Sequence, residues 1–185
     1  MTSSVTLAKW TLQQYHQMIA AGILDDQQVE LLRGEIIEMA PEGPEHAQIS
    51  TDAADYLRAV LGTRALVREA KPITLSNINS EPEPDIAIAE PWRDIYRTRH
   101  PYPENIFWLI EYANTSFKKD TDPKAKVYAA AGIPEYWVVN LKTLELIVMR
   151  HPQQDQYSSE TKLTAGTIAP LAFPDLTIAV SQLLN

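Results

Sequence analysis

The run Ile106-Phe107-Trp108-Leu109-Ile110 contains no polar residue and abuts Glu111. Five consecutive apolar positions leave neither side for water, so the segment reads as a strand buried on both faces. A sheet with such a strand needs cover above and below. Thr11-Leu12-Gln13-Gln14 resembles a capping box ahead of Tyr15, Met18 and Ile19. Ile49, Ala53, Leu57 and Leu61 recur at helical spacing up to Gly62. Asp122-Pro123 reads as the cap and first residue of a third helix, running through Val127 to Gly132. Val29 to Leu32 and Glu35 to Met39 read as a hairpin around Arg33-Gly34. Short strands are expected at Ala65–Val67, Ile73–Leu75, Asp85–Ala89, Glu135–Val139 and Leu144–Val148, with breaks at His151-Pro152 and Ala165-Gly166. This order predicts an α/β (α+β) chain with a central sheet, its helices covering both faces, as a single domain over residues 1–185.

The chain has no cysteine, which excludes a disulfide scaffold, thiolate catalysis and cysteine-built zinc sites. Of its four histidines, His100 and His151 lie in proline-flanked loops, so the sequence offers no histidine-rich transition-metal site. No apolar run approaches the ~18 residues of a spanning helix. Met1 to Lys9 lacks a basic stretch followed by an apolar segment. A cytoplasmic protein without membrane contact is the expectation. The net charge of −8 argues against a coat of positive charge, so any nucleic-acid contact must be local. The acidity is concentrated: residues 1–57 hold nine acidic and two basic residues, whereas residues 58–126 hold ten and eleven.

Three carboxylates stand out by position. Asp85 opens a strand directly after Pro84, Glu111 abuts the apolar run, and Glu30 sits among Val29, Leu31 and Leu32. Because an unpaired buried charge is costly, Glu111 must emerge at a strand edge or find a partner. Each acid alone also fits a solvated strand terminus. With a nearby lysine, together they fit a divalent cation and a counter-charge to phosphate. His46, near the start of the second helix, fits either a contact to phosphate or ligand, or plain capping and packing. The basic residues Arg64, Arg68, Lys71, Arg93, Arg97, Arg99, His100, Lys118 and Lys119, with Tyr96, Tyr102 and Phe117 among them, suit nucleic-acid contact with base stacking. Each equally fits a solvated loop charge. Lys118 and Lys119 come first because they lie between Glu111 and Lys124. Trp108 and Trp137 read as core.

Pro84-Asp85, then Glu111 after an apolar strand, then lysines, resembles the PD-(D/E)XK nucleases of the restriction-endonuclease-like superfamily. More closely, the chain is similar to the Uma-two-type endonucleases over roughly residues 10–180. The matching pieces are Glu30-Leu31-Leu32-Arg33-Gly34-Glu35, Pro44-Glu45-His46, Pro84-Asp85, Leu109-Ile110-Glu111, Lys124 to Tyr128, and Ala131 through Trp137, of which Gly132-Ile133-Pro134-Glu135-Tyr136-Trp137 is the most specific. The resemblance implies a restriction-endonuclease-like fold, a central mixed β-sheet flanked by helices. It implies a metal-dependent endonuclease in which Asp85 and Glu111 hold Mg²⁺, with Mn²⁺ as a substitute, Lys124 opposes charge on the phosphate, and Glu30 completes the metal shell. Glu35 is a weaker candidate for that last role. The expected partner is nucleic acid, first of all DNA, and a homodimer is compatible with the family.

The sequence departs from the superfamily pattern in two places. The lysine expected two residues after the second acid is replaced by Ala113, and the resemblance moves the role to Lys124, with Lys126 as competitor. After the glutamate, Tyr112-Ala113-Asn114-Thr115-Ser116 replaces the usual Ser and Pro. Two other functions fit the same residues: a catalytically silent nucleic-acid- or protein-binding module, and a metal-dependent hydrolase of small phosphoesters.

Overall fold

The computed structural model of the chain describes residues 7–114 and 116–185. Residues 1–6 and Thr115, which enter the sequence-based expectations, lie outside the described residues. Thr11 and Gln14 close a reciprocal capping box at the start of α1 (Leu12–Ala20). β1 (Val29–Leu32) and β2 (Glu35–Glu38) form the expected antiparallel hairpin. Arg33 and Gly34 at its turn have φ of +50° and +78°, the left-handed pair whose twist matches that of hairpin strands. Gly34 is also required by space, because a Cβ there would meet the Trp10 carbonyl oxygen at 2.9 Å. α2 (Pro44–Leu61) follows and ends at Gly62.

β3 (Leu66–Glu69), β4 (Ile86–Ala89) and β5 (Ile106–Ala113) come next. A broken helix then runs through α3 (Phe117–Lys119), a π turn (Asp120–Lys124) and α4 (Ala125–Ala130). The C-terminal part contains β6 (Glu135–Asn140), β7 (Glu145–Gln153), β8 (Gln156–Leu163), β9 (Thr167–Ile168), β10 (Ile178–Ala179) and α5 (Ser181–Leu184). Six strands form the central sheet in the order β3-β4-β5-β6-β7-β8. All neighbours are antiparallel except β5 and β6. That parallel pair needs a crossover, and the broken helix provides it.

The sheet has a core on each side. Ile86, Ile88, Trp108, Ile110 and Trp137 point to the α2 and α5 side, where they meet Leu57, Leu61 and Leu183. Ala87, Leu109, Tyr136 and Val138 point to the other side, against Leu32, Ile73, Val127 and Tyr128. The alternation within β4 and β5 is the period-2 pattern of a strand covered on both faces. Trp108 and Trp137 are fully buried, with ring centroids 5.4 Å apart. Among the described residues, no helix is long and apolar enough to cross a membrane.

Four local expectations are corrected. Ile73 to Leu75 forms no strand, because its N–H groups go to the separate carbonyls of Pro82, Pro101 and Ser80. His151-Pro152 does not break β7; His151 takes φ +58° and its N–H bonds to Pro134 O, while the strand continues to Gln153. The third helix begins at Phe117 rather than Asp122. Pro123 sits inside it, within the π turn, whose wider hydrogen-bond ring accommodates the missing N–H. Glu111 is not a strand terminus, since β5 continues to Ala113.

Candidate active site

The β4–β5 register pairs Ile86 with Ile110. Asp85 and Glu111 lie one residue beyond each, so two chain-distant carboxylates become neighbours on adjacent strands. Asp85 is fixed at Oδ2, which accepts the Tyr112 N–H at 2.6 Å and lies 3.1 Å from His46 Nε2. α2 delivers His46 from its first turn, immediately after Pro44 and Glu45. Burial works against the imidazolium, but the hydrogen bond and charge of Asp85 outweigh it, and His46 titrates above its ordinary value.

Glu111 is buried and its Oε1 accepts from Lys124 Nζ and Tyr128 Oη, both at 2.8 Å. Lys124 is also buried, reaches Glu30 Oε2 at 3.4 Å, and so bridges β5 to the hairpin. Glu30 is closed off from solvent; its Oε1 lies 2.7 Å from Lys119 Nζ and its Oε2 accepts the Glu83 N–H at 3.3 Å. Burial pushes the Glu111 carboxyl well up; Lys124 pulls it back, and Asp85, Asp120 and Glu30 raise it further. Burial opposes the charge on Lys124, yet Glu111, Glu30, Asp120 and Asp85 more than compensate and hold the ammonium above the usual lysine range.

Asp120, which the sequence reading did not single out, completes this cluster. It is buried at the start of the π turn, and burial raises its carboxyl while Lys124 pulls it down. Four buried or half-buried carboxylates thus face two ammonium groups, an excess of negative charge in a low-dielectric setting. Glu42 was also missed. It is exposed in the loop before α2, and ligand atoms of Glu42, His46 and Asp85 lie within 4.8 Å of one another. Glu42 and Asp120 stand in segments with no periodicity or motif, so only the packing of loop and crossover reveals them.

The other candidates fall into clear places. Lys126 is exposed and pairs with Asp122 at 2.8 Å, away from Glu111. Lys119 has its ammonium on Glu30, so of the Lys118-Lys119 pair only Lys118 is exposed. Glu35 points outward to Lys9. Glu30, Glu111 and Lys124 come together; Asp85 stands one residue beyond β4 opposite Glu111 and raises it by its charge, but among the described residues its ligand atoms cluster with Glu42 and His46 and not with Glu111.

A family model described as "Uma2: Putative restriction endonuclease" matches residues 12–181. No curated protein matches the sequence. Among solved structures, the chain is similar to "a putative nuclease belonging to DUF820" from Anabaena variabilis ATCC 29413. The two share 17% sequence identity and a TM-score of 0.66, over 94% of this chain and 97% of that one. At this identity the likeness speaks for the fold: a restriction-endonuclease-like mixed sheet flanked by helices.

Proposed function

We propose that this chain, which belongs to the Uma2 family, is a divalent-cation-dependent endonuclease that hydrolyses phosphodiester bonds, with DNA as its first substrate class. The observation that carries this reading is the excess of carboxylate where Glu30, Glu111 and Lys124 converge from β1, β5 and the π turn beside Asp85, which opposes Glu111 at the head of β4. A purely structural ion pair balances one acid with one base. Here the excess of carboxylate is what an added cation would relieve.

The donor set fits such a cation. Glu42, His46 and Asp85 offer two carboxylates and an imidazole from one small region, and Glu111 stands beside Asp85 on the next strand. Oxygen-rich donors with few carboxylates suit Mg²⁺, and an added imidazole is compatible with Mn²⁺. When bound, the cation supplies charge to polarise the phosphate and to acidify a water.

The chain's own groups do the rest. The Tyr112 N–H holds one Asp85 oxygen in place, which fixes the carboxylate without competing for the other. Tyr128 Oη orients Glu111. Lys124, charged at neutral pH, opposes negative charge building on the phosphate oxygens. His46 must release its proton before its ring can act as a ligand, so cation uptake should be accompanied by proton release.

The test is cleavage of plasmid and single-stranded DNA with Mg²⁺ or Mn²⁺, comparing wild type with Asp85→Ala and Lys124→Ala. Each variant should lose about 10²- to 10³-fold in rate, the scale of removing one preorganised charged contact. Wild-type protein that cuts no better than the variants across the substrate panel would sink the catalytic reading. DNA binding without any metal dependence would favour the silent binding module instead.

A further inference from the structure

Outside the charged cluster, three cations that no carboxylate pairs line one cavity. β3 is an edge strand of the six-stranded sheet. A cavity of about 440 Å³ lies along it, lined chiefly by Arg58, Arg68, Glu69, Lys71, Arg93 and Tyr96. Arg58 and Glu69 pair with each other. Among the described residues, Arg68, Lys71 and Arg93 enter no ion pair. The Arg68 Nε is sealed from solvent and has no hydrogen-bond partner, and the same holds for Tyr96 Oη beside it. The Arg68 guanidinium lies 5.5 Å from the Tyr96 ring centroid. With Nε sealed, an incoming anion can meet only the terminal guanidinium nitrogens, whose charge no carboxylate pairs. Burial lowers the Arg68 value.

This basic edge adjoins the candidate active site. Ala70 donates its N–H to the Asp85 carbonyl at 3.0 Å, so Lys71 follows directly on a residue anchored to the catalytic strand. At the far end Arg93 lies next to Trp92, which is 46% exposed and lines a shallow groove with Pro91 and Ile95. The cavity holds four cations to one carboxylate, with Arg58 taken by Asp55 and Glu69, and Asp94 adds a second carboxylate at the Trp92 groove, in a chain of net charge −8. Such a local concentration of positive charge fits a polyanion.

We infer that the β3 edge binds the backbone of an unpaired nucleic-acid strand on one side of the scissile bond: Lys71, Arg68 and Arg93 contact its phosphates, and Trp92 stacks on a base. The identity of the polymer rests on the nuclease reading above; the site itself rests on the unpaired cations and the cavity they line. Phosphate contacts position a strand without reading its sequence, and a single exposed indole stacks on any base. The edge therefore supplies register and affinity, and no sequence preference.

The experiment uses the full chain and a fluorescent single-stranded oligonucleotide, with anisotropy read in Ca²⁺ over a series of salt concentrations and strand integrity checked on a gel. Lys71 and Arg93 are exposed, so Lys71→Ala/Arg93→Ala is compatible with folding. It should weaken binding at least about tenfold and lower the salt slope by about 1.4, at ~0.7 for each single-strand phosphate that is no longer neutralised. Trp92→Ala should weaken single-strand binding by about 5- to 100-fold, with a smaller effect on a duplex of the same sequence. Binding by the double variant within twofold of wild type, with an unchanged salt slope, overturns the inference, as does a wild type that binds no strand at all. The two readings fail separately. A protein that binds through Lys71 and Arg93 but never cuts keeps this site and loses the nuclease; one that cuts with binding indifferent to both residues does the reverse.

Discussion

Glu111 and Glu135 are both buried glutamates on adjacent strands, β5 and β6, and each touches a cation. Glu135 is saturated. Its Oε1 accepts from Trp137 Nε1 at 2.8 Å and Arg150 Nε at 2.7 Å, and its Oε2 accepts the Leu171 N–H at 2.7 Å. One acid meets one guanidinium, and the result ties β6, β7 and the loop after β9 together. Glu111 shares a single lysine with Glu30 and has Asp85 and Asp120 close enough to raise it. Burial and a salt bridge are common to both, so neither marks a functional site. The difference is charge balance: the structural glutamate is neutralised, and the functional candidate is left in negative excess.

Exchanging each acid for its amide is the sharpest way to break this contrast. Glu111→Gln should lower metal-dependent cleavage by about 10²- to 10³-fold, while Glu135→Gln should leave the rate per folded molecule within a few-fold. Equal losses of activity would erase the distinction. Stability should run the other way. Glu135→Gln leaves the Arg150 guanidinium without its counter-charge and should cost about 3 kcal/mol in urea unfolding. Glu111→Gln removes charge from a crowded cluster and should cost clearly less. A larger loss at Glu111 would mean that the cluster is simply structural.

A smaller effect should appear in pH. Glu111 and Asp120 have raised carboxyls in the folded chain, so the native state keeps protons that the unfolded chain has released. Stability must then fall as pH rises from the ordinary carboxylate range through the folded values. His46 is raised as well; its contribution is complete below the ordinary histidine value and is lost as pH climbs through the folded one. All three act in the same direction. In EDTA, Tm should decline across this window, and saturating Mn²⁺ should flatten the decline. A Tm that rises over the same window contradicts the charge excess. Smallest of all, Lys126→Ala should leave both the cleavage rate and the denaturation midpoint unchanged, because Lys126 is exposed and holds only Asp122.

Much of the framework was legible because its signals are local. The capping box, the Arg33-Gly34 turn and the apolar β5 run each specify geometry within a few residues. Asp85, Glu111, Lys124 and Glu30 were readable from a resemblance that preserves their order along the chain. Glu42 and Asp120 were not, since neither sits in a periodic segment and only tertiary packing brings them near His46 and Lys124. The start of the third helix was misplaced for a related reason. Asp122-Pro123 carries a sound N-terminal signal, but the helix had already begun at Phe117, and a π turn absorbs the proline. Lys119, a candidate nucleic-acid contact in the sequence, also pairs with Glu30, and nothing near it in sequence indicates that Glu30 is within reach.

That π turn bears on how such chains can be recognised. Successive residues of an α-helix are about 100° apart around the axis, so each added or removed residue rotates everything after it. Lys124 closes the widened turn and Tyr128 follows one α-helical turn later, and both reach the same Glu111 oxygen. Excising one residue ahead of Lys124 would return the segment to regular phase and rotate the lysine and the tyrosine together, relative to α3, away from the glutamate. The interval from acid to lysine is therefore a matter of rotational phasing rather than of counting. Sequence patterns that insist on a fixed acid-to-lysine interval will overlook chains that insert or remove whole turns, and will accept chains whose spacing is right and whose phase is wrong.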